Sequence, residues 1–542
     1  MFTRALSCAA TPNLTRKERE DAQLFHIFHS RAGCLCLRTS YGAPAPTGRR
    51  LRTEMQSPIL TPLKPPPPSE RFKVSLHEPA KPTPPPKPAA KGAFGIAGLS
   101  ITHAIERRTI RRAVGGAIFE GLFGGLCSMN VYVALKGMSG GFEQWEDAVS
   151  TLMQMLPSIL MAFAMVYSSG GRVRKHRFYW VFAGVFGRLS VGVVALFTNP
   201  FLFVALVAFQ SIVCAGISPA LNHIWGANCT ARTRGRAFIW YSTAAEIATM
   251  AGALIAGALL DGFHFTLPLA GEIHLNGNPR NYALLYPIAG VIGLVGMLYF
   301  WRVRLRYKPT HEDDEVVPPL FSRLAQAFKQ ARALLKRDPD FRLYEFGFFL
   351  YGTAFMMVAA VVPLFFKNTL DASYKEFSAT TVVLVQVMHL VSVPLIVRFA
   401  SGRRVTVVTR LPFAMLMLYP VLLGITALLA AQDRSLAMWF AYAAFVWFGI
   451  AMACIHFVWN LGPVAFAKDG NPLPYTSTHA ALVGVRASVG FPMAYLFLWV
   501  FQGELLPVFI AATVLFFGAS VVMTVLDRRL KAKGAMTNAM GH

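Results

Sequence analysis

Five ionisable residues stand inside long apolar stretches of this chain: Glu120, Glu246, His389, His456 and Arg486. Arg188 and Glu345 occupy similar surroundings. In hydrocarbon such a side chain costs at least about 2.5–3.5 kcal/mol unless it faces a cavity or a partner. Carboxylates and imidazoles placed there can take up and release a proton. A guanidinium is shaped to pair with a carboxylate or a phosphate. Bond-making chemistry has little support. Cys8, Cys34, Cys36, Cys127, Cys214, Cys229 and Cys454 fit no zinc or disulfide spacing. Gly115-Gly116 and Gly124-Gly125 lack the Lys-Ser/Thr of a nucleotide-binding loop and suit close helix packing instead. No cofactor or metal is expected.

The elements that must position these residues follow from the apolar pattern. The chain has 542 residues, 54% of them hydrophobic and only 15% charged, where a soluble chain carries roughly 25% charged residues. Apolar segments long enough to cross a bilayer as helices fall at 113–135, 150–168, 178–198, 201–225, 238–260, 282–301, 343–366, 379–399, 407–430, 436–460, 479–501 and 505–526. The net charge of +25 lies largely between them. Arg172, Arg174, Lys175 and Arg177, then Arg232 to Arg236, Arg302 to Lys308, Arg398 to Arg404 and Arg528 to Lys533 fill every second connection. The alternate connections hold few basic residues, such as Lys136, Lys367 and Arg434, diluted by Glu143, Glu146, Asp147 and Asp371. Through twelve spans this alternation puts both termini in the cytoplasm. It gives no support to nucleic-acid binding.

The expected fold class is all-α integral membrane, with twelve transmembrane helices in two six-helix pseudo-repeated bundles. Its parts are a basic, Pro-rich, disordered tail (1–105), a first bundle (106–301), a cytoplasmic linker (302–342), a second bundle (343–527) and a short tail (528–542). Met55, just before the Pro-rich run, is one candidate start of translation, and Glu18, Glu20 and Asp21 sit badly in a transit peptide. Phe321, Leu324, Phe328 and Leu335 recur at helical spacing in the linker, opposite Arg323, Lys329, Arg332 and Lys336, as in a helix at a membrane surface. Gly271 and Asn276-Gly277-Asn278-Pro279 suggest a short hairpin between spans five and six.

Short matches in register link the halves. Phe119-Glu120-Gly121 echoes Tyr344-Glu345-Phe346, Ser169-Gly170-Gly171-Arg172 echoes Ser401-Gly402-Arg403-Arg404, His223-Ile224-Trp225 echoes His456 to Trp459, and Tyr241 to Ala244 echoes Tyr475 to Thr478. A parallel repeat of this kind places a binding cavity where the halves meet, near the bilayer midplane. With its twelve spans, long central loop and Gly/Arg-rich turns after spans two and eight, the chain resembles the major facilitator superfamily over about residues 107–530. The first turn keeps the basic residues of that family's motif but lacks its aspartate. His479 to Arg486 looks like the span-eleven signature of poorly characterised bacterial members.

The resemblance implies a secondary active transporter that moves a small solute by alternating access, in a bacterial inner membrane, with proton coupling as an expectation from the intramembrane carboxylates and imidazoles. A monomer is assumed. In that family spans one, four, five, seven, eight, ten and eleven line the cavity. Arg486, Glu120, Glu246, His389 and His456 are therefore candidate substrate or proton sites, with Asn130 and Asn222 as uncharged partners. Gly171, Arg172, Arg174, Lys175, Gly402, Arg403 and Arg404 form the candidate cytoplasmic gate, to which Glu345 would pair. Arg188 is expected to neutralise a neighbouring carboxylate. Two other classes stay open: a transport-inactive scaffold recruiting a partner through its Pro-rich tail, and a membrane-embedded lipid-modifying enzyme.

Overall fold

The computed structural model describes residues 104–137, 146–169, 176–196, 199–214, 217–229, 231–267, 271–276, 279–305, 320–400, 403–467 and 473–534. The Pro-rich tail and residues 170–175 and 401–402 of the expected gate lie outside them. Ten helices among the described residues are long and apolar enough to cross a membrane. Expected spans two and four are helical as well, as Glu146–Ser169 and as the pair Pro200–Cys214 and Ile217–Asn228. Helices are the economical answer to an apolar solvent, because each satisfies its own backbone hydrogen bonds. Their outer faces carry Trp499, Trp439 and Phe178 at 72%, 68% and 67% exposure, a surface suited to lipid and not to water.

The local departures from the expected segments have physical causes. Span one begins at Ala104, so Arg107, Arg108, Arg111 and Arg112 form its first turns. Long basic side chains can run outward along an apolar surface and keep their charge in water. The span turns at Cys127–Met129 and resumes as Asn130–Gly137. Span three passes from α-helix (His176–Phe182) to a π segment (Ala183–Arg188) and then a 3-10 segment (Leu189–Leu196). Further π segments end span seven, at Phe365–Thr369 after Pro363, and follow the first turn of span eight at Ala379–Leu384. Proline removes one rung of the α-helical ladder.

The expected hairpin forms, but with a different turn. Strands β1 (Gly262–Leu267) and β2 (Gly271–Asn276) pair antiparallel, from Gly262 opposite Asn276 to Leu267 opposite Gly271. The residues between the two strands, 268–270, lie outside the described residues, as do Gly277 and Asn278 of the expected turn. The linker contains the expected helix, Leu320–Arg337, packed on spans two and eleven. Among its described side chains Ala331 and Leu334 are buried and Leu335 of the expected stripe is half-buried, whereas Phe328 is exposed; the side chains of Phe321 and Leu324 lie outside those described.

In the first half, span one packs on span five (Ala231–Asp261) and span six (Tyr282–Trp301). In the second, span seven (Pro339–Leu364) packs on span eleven (Leu473–Val500) and span twelve (Leu506–Ala532). Span nine (Val405–Ala430) packs on span ten (Arg434–Leu461) and span twelve. The halves meet where span eleven lies on span two and where span five meets the start of span eight (Tyr374–Ala400). Gly121 and Gly125 let spans one and five touch backbone to backbone: a Cβ would fall on the carbonyl oxygen of Ala245 at the first and of Thr249 at the second. This is small-residue packing as membrane helices use it. Gly121→Val should lower the unfolding temperature in detergent, with a loss of roughly 1–3 kcal/mol or more. An unchanged melting curve would contradict this packing.

Candidate functional site

Among the described residues, the ionisable side chains singled out within the spans gather in three clusters. The first joins spans one and three. Arg188 donates through Nη2 to Glu120 Oε2 at 2.5 Å and through Nε to Oε1 at 3.3 Å, and its guanidinium lies 4.3 Å from the centre of the Phe123 ring. Gly293 and Gly296 of span six leave room for the pair. Arg188 thus neutralises a carboxylate, as expected, and Glu120 is bonded within its own half.

The second cluster is the most deeply buried. Glu345 on span seven is 3% exposed and both its oxygens are engaged. Arg486 Nη2 donates to Oε2 at 2.9 Å, and His479 Nδ1 lies 2.8 Å from Oε1. The rings of Phe348 and Trp459 each sit 5.5 Å from the Arg486 guanidinium. Gly352 lacks the Cβ that would collide with the Arg486 stem. Glu345 therefore faces partners inside the second half and is not paired to the Arg-rich turn. Arg486 is 1% exposed and lines neither of the cavities described below.

The third cluster bridges the halves. Glu246 on span five lies 3.7 Å, through Oε2, from Nδ1 of His389 on span eight. Ser242 Oγ donates to the other oxygen at 3.1 Å. The His389 ring is 5.2 Å from that of His456 on span ten. Glu246 Oε2 and both His389 nitrogens are buried without a hydrogen-bond partner. Three of the residues singled out in the sequence are thus brought together. The other candidates lie elsewhere. Asn130 holds a buried, unpartnered Oδ1 at the break in span one, and Asn222 belongs to the helix Ile217–Asn228. Arg403 packs over Phe399 at 4.1 Å, while Arg404 and Thr406 bind Asp527 at 3.2 and 2.7 Å. Gly171, Arg172, Arg174, Lys175 and Gly402 fall outside the described residues.

Away from the Arg-rich face the halves are bonded to each other. Tyr132 Oη and Lys136 Nζ donate to Ala372 O at 2.5 and 2.7 Å. Lys367 pairs with Glu146. The Asp261 carboxylate receives the backbone N–H groups of Tyr374 and Lys375 at 3.0 and 2.6 Å. Tyr132 also stacks on Phe377, with centroids 4.2 Å apart. A cavity of about 250 Å³ is lined from both halves by Ser128, Tyr132 and Gln154 and by Phe355, Thr381 and Tyr419, among others. Its polar groups are neutral and its walls aromatic. None of these wall residues was singled out in the sequence. The available signal is uncharged polar residues within apolar segments, Gln154, Ser128 and Thr381 among them.

Helical spans in two halves, bonded to each other away from the Arg-rich face and with a cavity between them, have the arrangement of a membrane transporter. The sequence model described as Major Facilitator Superfamily matches residues 117–471, and the chain belongs to that family. Among solved structures, the nucleoside transporter NupG aligns with a TM-score of 0.54 at 10% identity, covering 79% of this chain and 100% of that one. A D-xylose-proton symporter aligns at 0.54 with 13% identity, covering 77% and 96%. The inward-facing, occupied structure of a bacterial homologue of the human lysosomal transporter Spinster aligns at 0.53 with 12% identity, covering 78% and 96%. At these identities the likeness is one of fold. No curated protein matches the sequence closely enough to count as a relative.

Proposed function

We propose that the chain moves a small, uncharged solute across the membrane by alternating access, coupled to protons through Glu246, His389 and His456. The contact between Glu246 and His389 carries this reading. It joins the two halves, so any rocking that parts spans five and eight must break it. A proton shared by the cluster is then exchanged whenever the halves separate, which ties its movement to the conformational cycle. The neutral, aromatic cavity wall favours a solute without formal charge. A nucleoside transporter and a sugar-proton symporter among the similar folds support the same class.

In this reading residues 106–301 and 343–527 are the moving bundles and 302–342 links them. The Arg-rich face lies in the cytoplasm with both termini, the membrane is a bacterial inner membrane, and the chain works as a monomer. The closed face is then the outer one. The test is uptake by proteoliposomes of a panel of labelled neutral sugars and nucleosides, with and without an imposed pH gradient. One proton per solute and one pH unit should give about tenfold accumulation, abolished by a protonophore. Transport that ignores the gradient would leave facilitated diffusion in place of coupling. Transport confined to carboxylates or phosphates would overturn the neutral solute.

A further inference from the structure

A concavity lies at the Arg-rich face, away from the path between the halves. It has a volume of about 520 Å³ where the ends of spans one, three and six converge, and five arginines line it: Arg108, Arg112, Arg177, Arg302 and Arg304. Arg112 is held by the carbonyl of Arg302, and Arg177 lies 5.7 Å from the ring centre of Trp301. Among the described residues none of the five forms an ion pair with a carboxylate.

The second half supplies an internal comparison. At the corresponding ends of spans seven, nine and twelve, Asp340 takes Arg529 and Lys533 at 2.8 and 2.7 Å, and Asp527 takes Arg404 and Lys531 at 3.2 and 3.3 Å. Among the described residues, the carboxylates that take basic side chains at this face of the second half have no counterpart at the five arginines of the first. Burden of charge alone does not explain that difference, because positive-inside orientation needs no concavity.

We propose that this pocket binds the phosphate headgroup of an anionic phospholipid from the leaflet at the basic face. Guanidinium groups engage phosphate oxygens in pairs, and basic pockets between transmembrane helices suit such headgroups. A lipid is favoured over a free phosphate because the pocket opens on surface made for acyl chains. Ile105 and Trp301, which line it, are 45% and 38% exposed, and Trp is at home at headgroup depth.

The test uses the purified full-length protein and measures retained lipid by native mass spectrometry and affinity by titration. The probes are dioleoyl-phosphatidylglycerol, dioleoyl-phosphatidylcholine and inorganic phosphate. The pocket variant combines Arg108→Gln, Arg302→Gln and Arg304→Gln, three exposed side chains. A charge-matched control combines Arg342→Gln, Arg398→Gln and Arg528→Gln, exposed residues outside the pocket. Phosphatidylglycerol should bind the pocket variant about 100-fold more weakly and the control as it binds the parent. Equal losses in both variants would reduce the effect to bulk surface charge and overturn the site. Pocket-dependent binding of inorganic phosphate as strong as that of the lipid would overturn the lipid assignment. A melting curve of the pocket variant matching the parent's excludes misfolding as the cause.

Discussion

Glu345→Ala is expected to cost the purified protein about 3–5 kcal/mol of stability, because removing one member of a buried charge pair strands the other. Arg486, at 1% exposure, would lose its carboxylate. His479, at 2%, would lose the acceptor of its ring nitrogen. Neither side chain lines the two cavities described above. Thermal unfolding in detergent should show the loss directly, and expression should fall with it. A double replacement, Glu345→Leu with Arg486→Met, should recover most of the deficit, since apolar groups of similar volume often serve as well as a buried pair. If Glu345→Ala melts with the parent, the cluster is not the internal tie its geometry indicates. If the double variant is as unstable as the single one, packing and not charge dominates there.

The second large effect concerns transport. Glu246→Gln keeps size and hydrogen-bonding capacity but removes the carboxylate that faces His389 across the halves. Accumulation of solute against its gradient should vanish, while exchange between equal pools on both sides continues. His389→Ala should do the same. The two readouts separate coupling from structure, because a variant that merely misfolds loses both. Arg188→Met offers a contrast. It breaks a pair lying wholly inside the first half, so it should damage stability and leave any surviving activity coupled. Accumulation by Glu246→Gln equal to that of the parent would remove the cluster from the proton path.

The sequence made much of this legible, for one reason. In an apolar solvent every charge must be explained, so charged residues within spans announce themselves. Glu246, His389 and His456 stood out in this way, and the structure gathers them. What stayed hidden was pairing and neutrality. Nothing in the spacing says that Glu345 takes His479 and Arg486 from a helix more than a hundred residues on. Nor does composition separate Phe355 or Tyr419 in a cavity wall from Phe178 facing outward, because both are simply aromatic. The hairpin was foreseen from its glycine and asparagine residues, yet its turn fell elsewhere, as strand pairing is fixed by both edges together.

The closure away from the Arg-rich face is held largely by main-chain atoms on the receiving side. Ala372 and Gly262 contribute carbonyls, and Tyr374 and Lys375 contribute N–H groups. Those groups survive any substitution that keeps the backbone path, proline aside. Tolerance is therefore uneven along each lip. Positions 372 and 262 can drift freely within the limits of space and backbone path, whereas Tyr132, Lys136 and Asp261 from one half and Lys375 from the other, which reach across with side chains, cannot. A comparison of related chains should find those four side chains conserved and the residues that receive them variable.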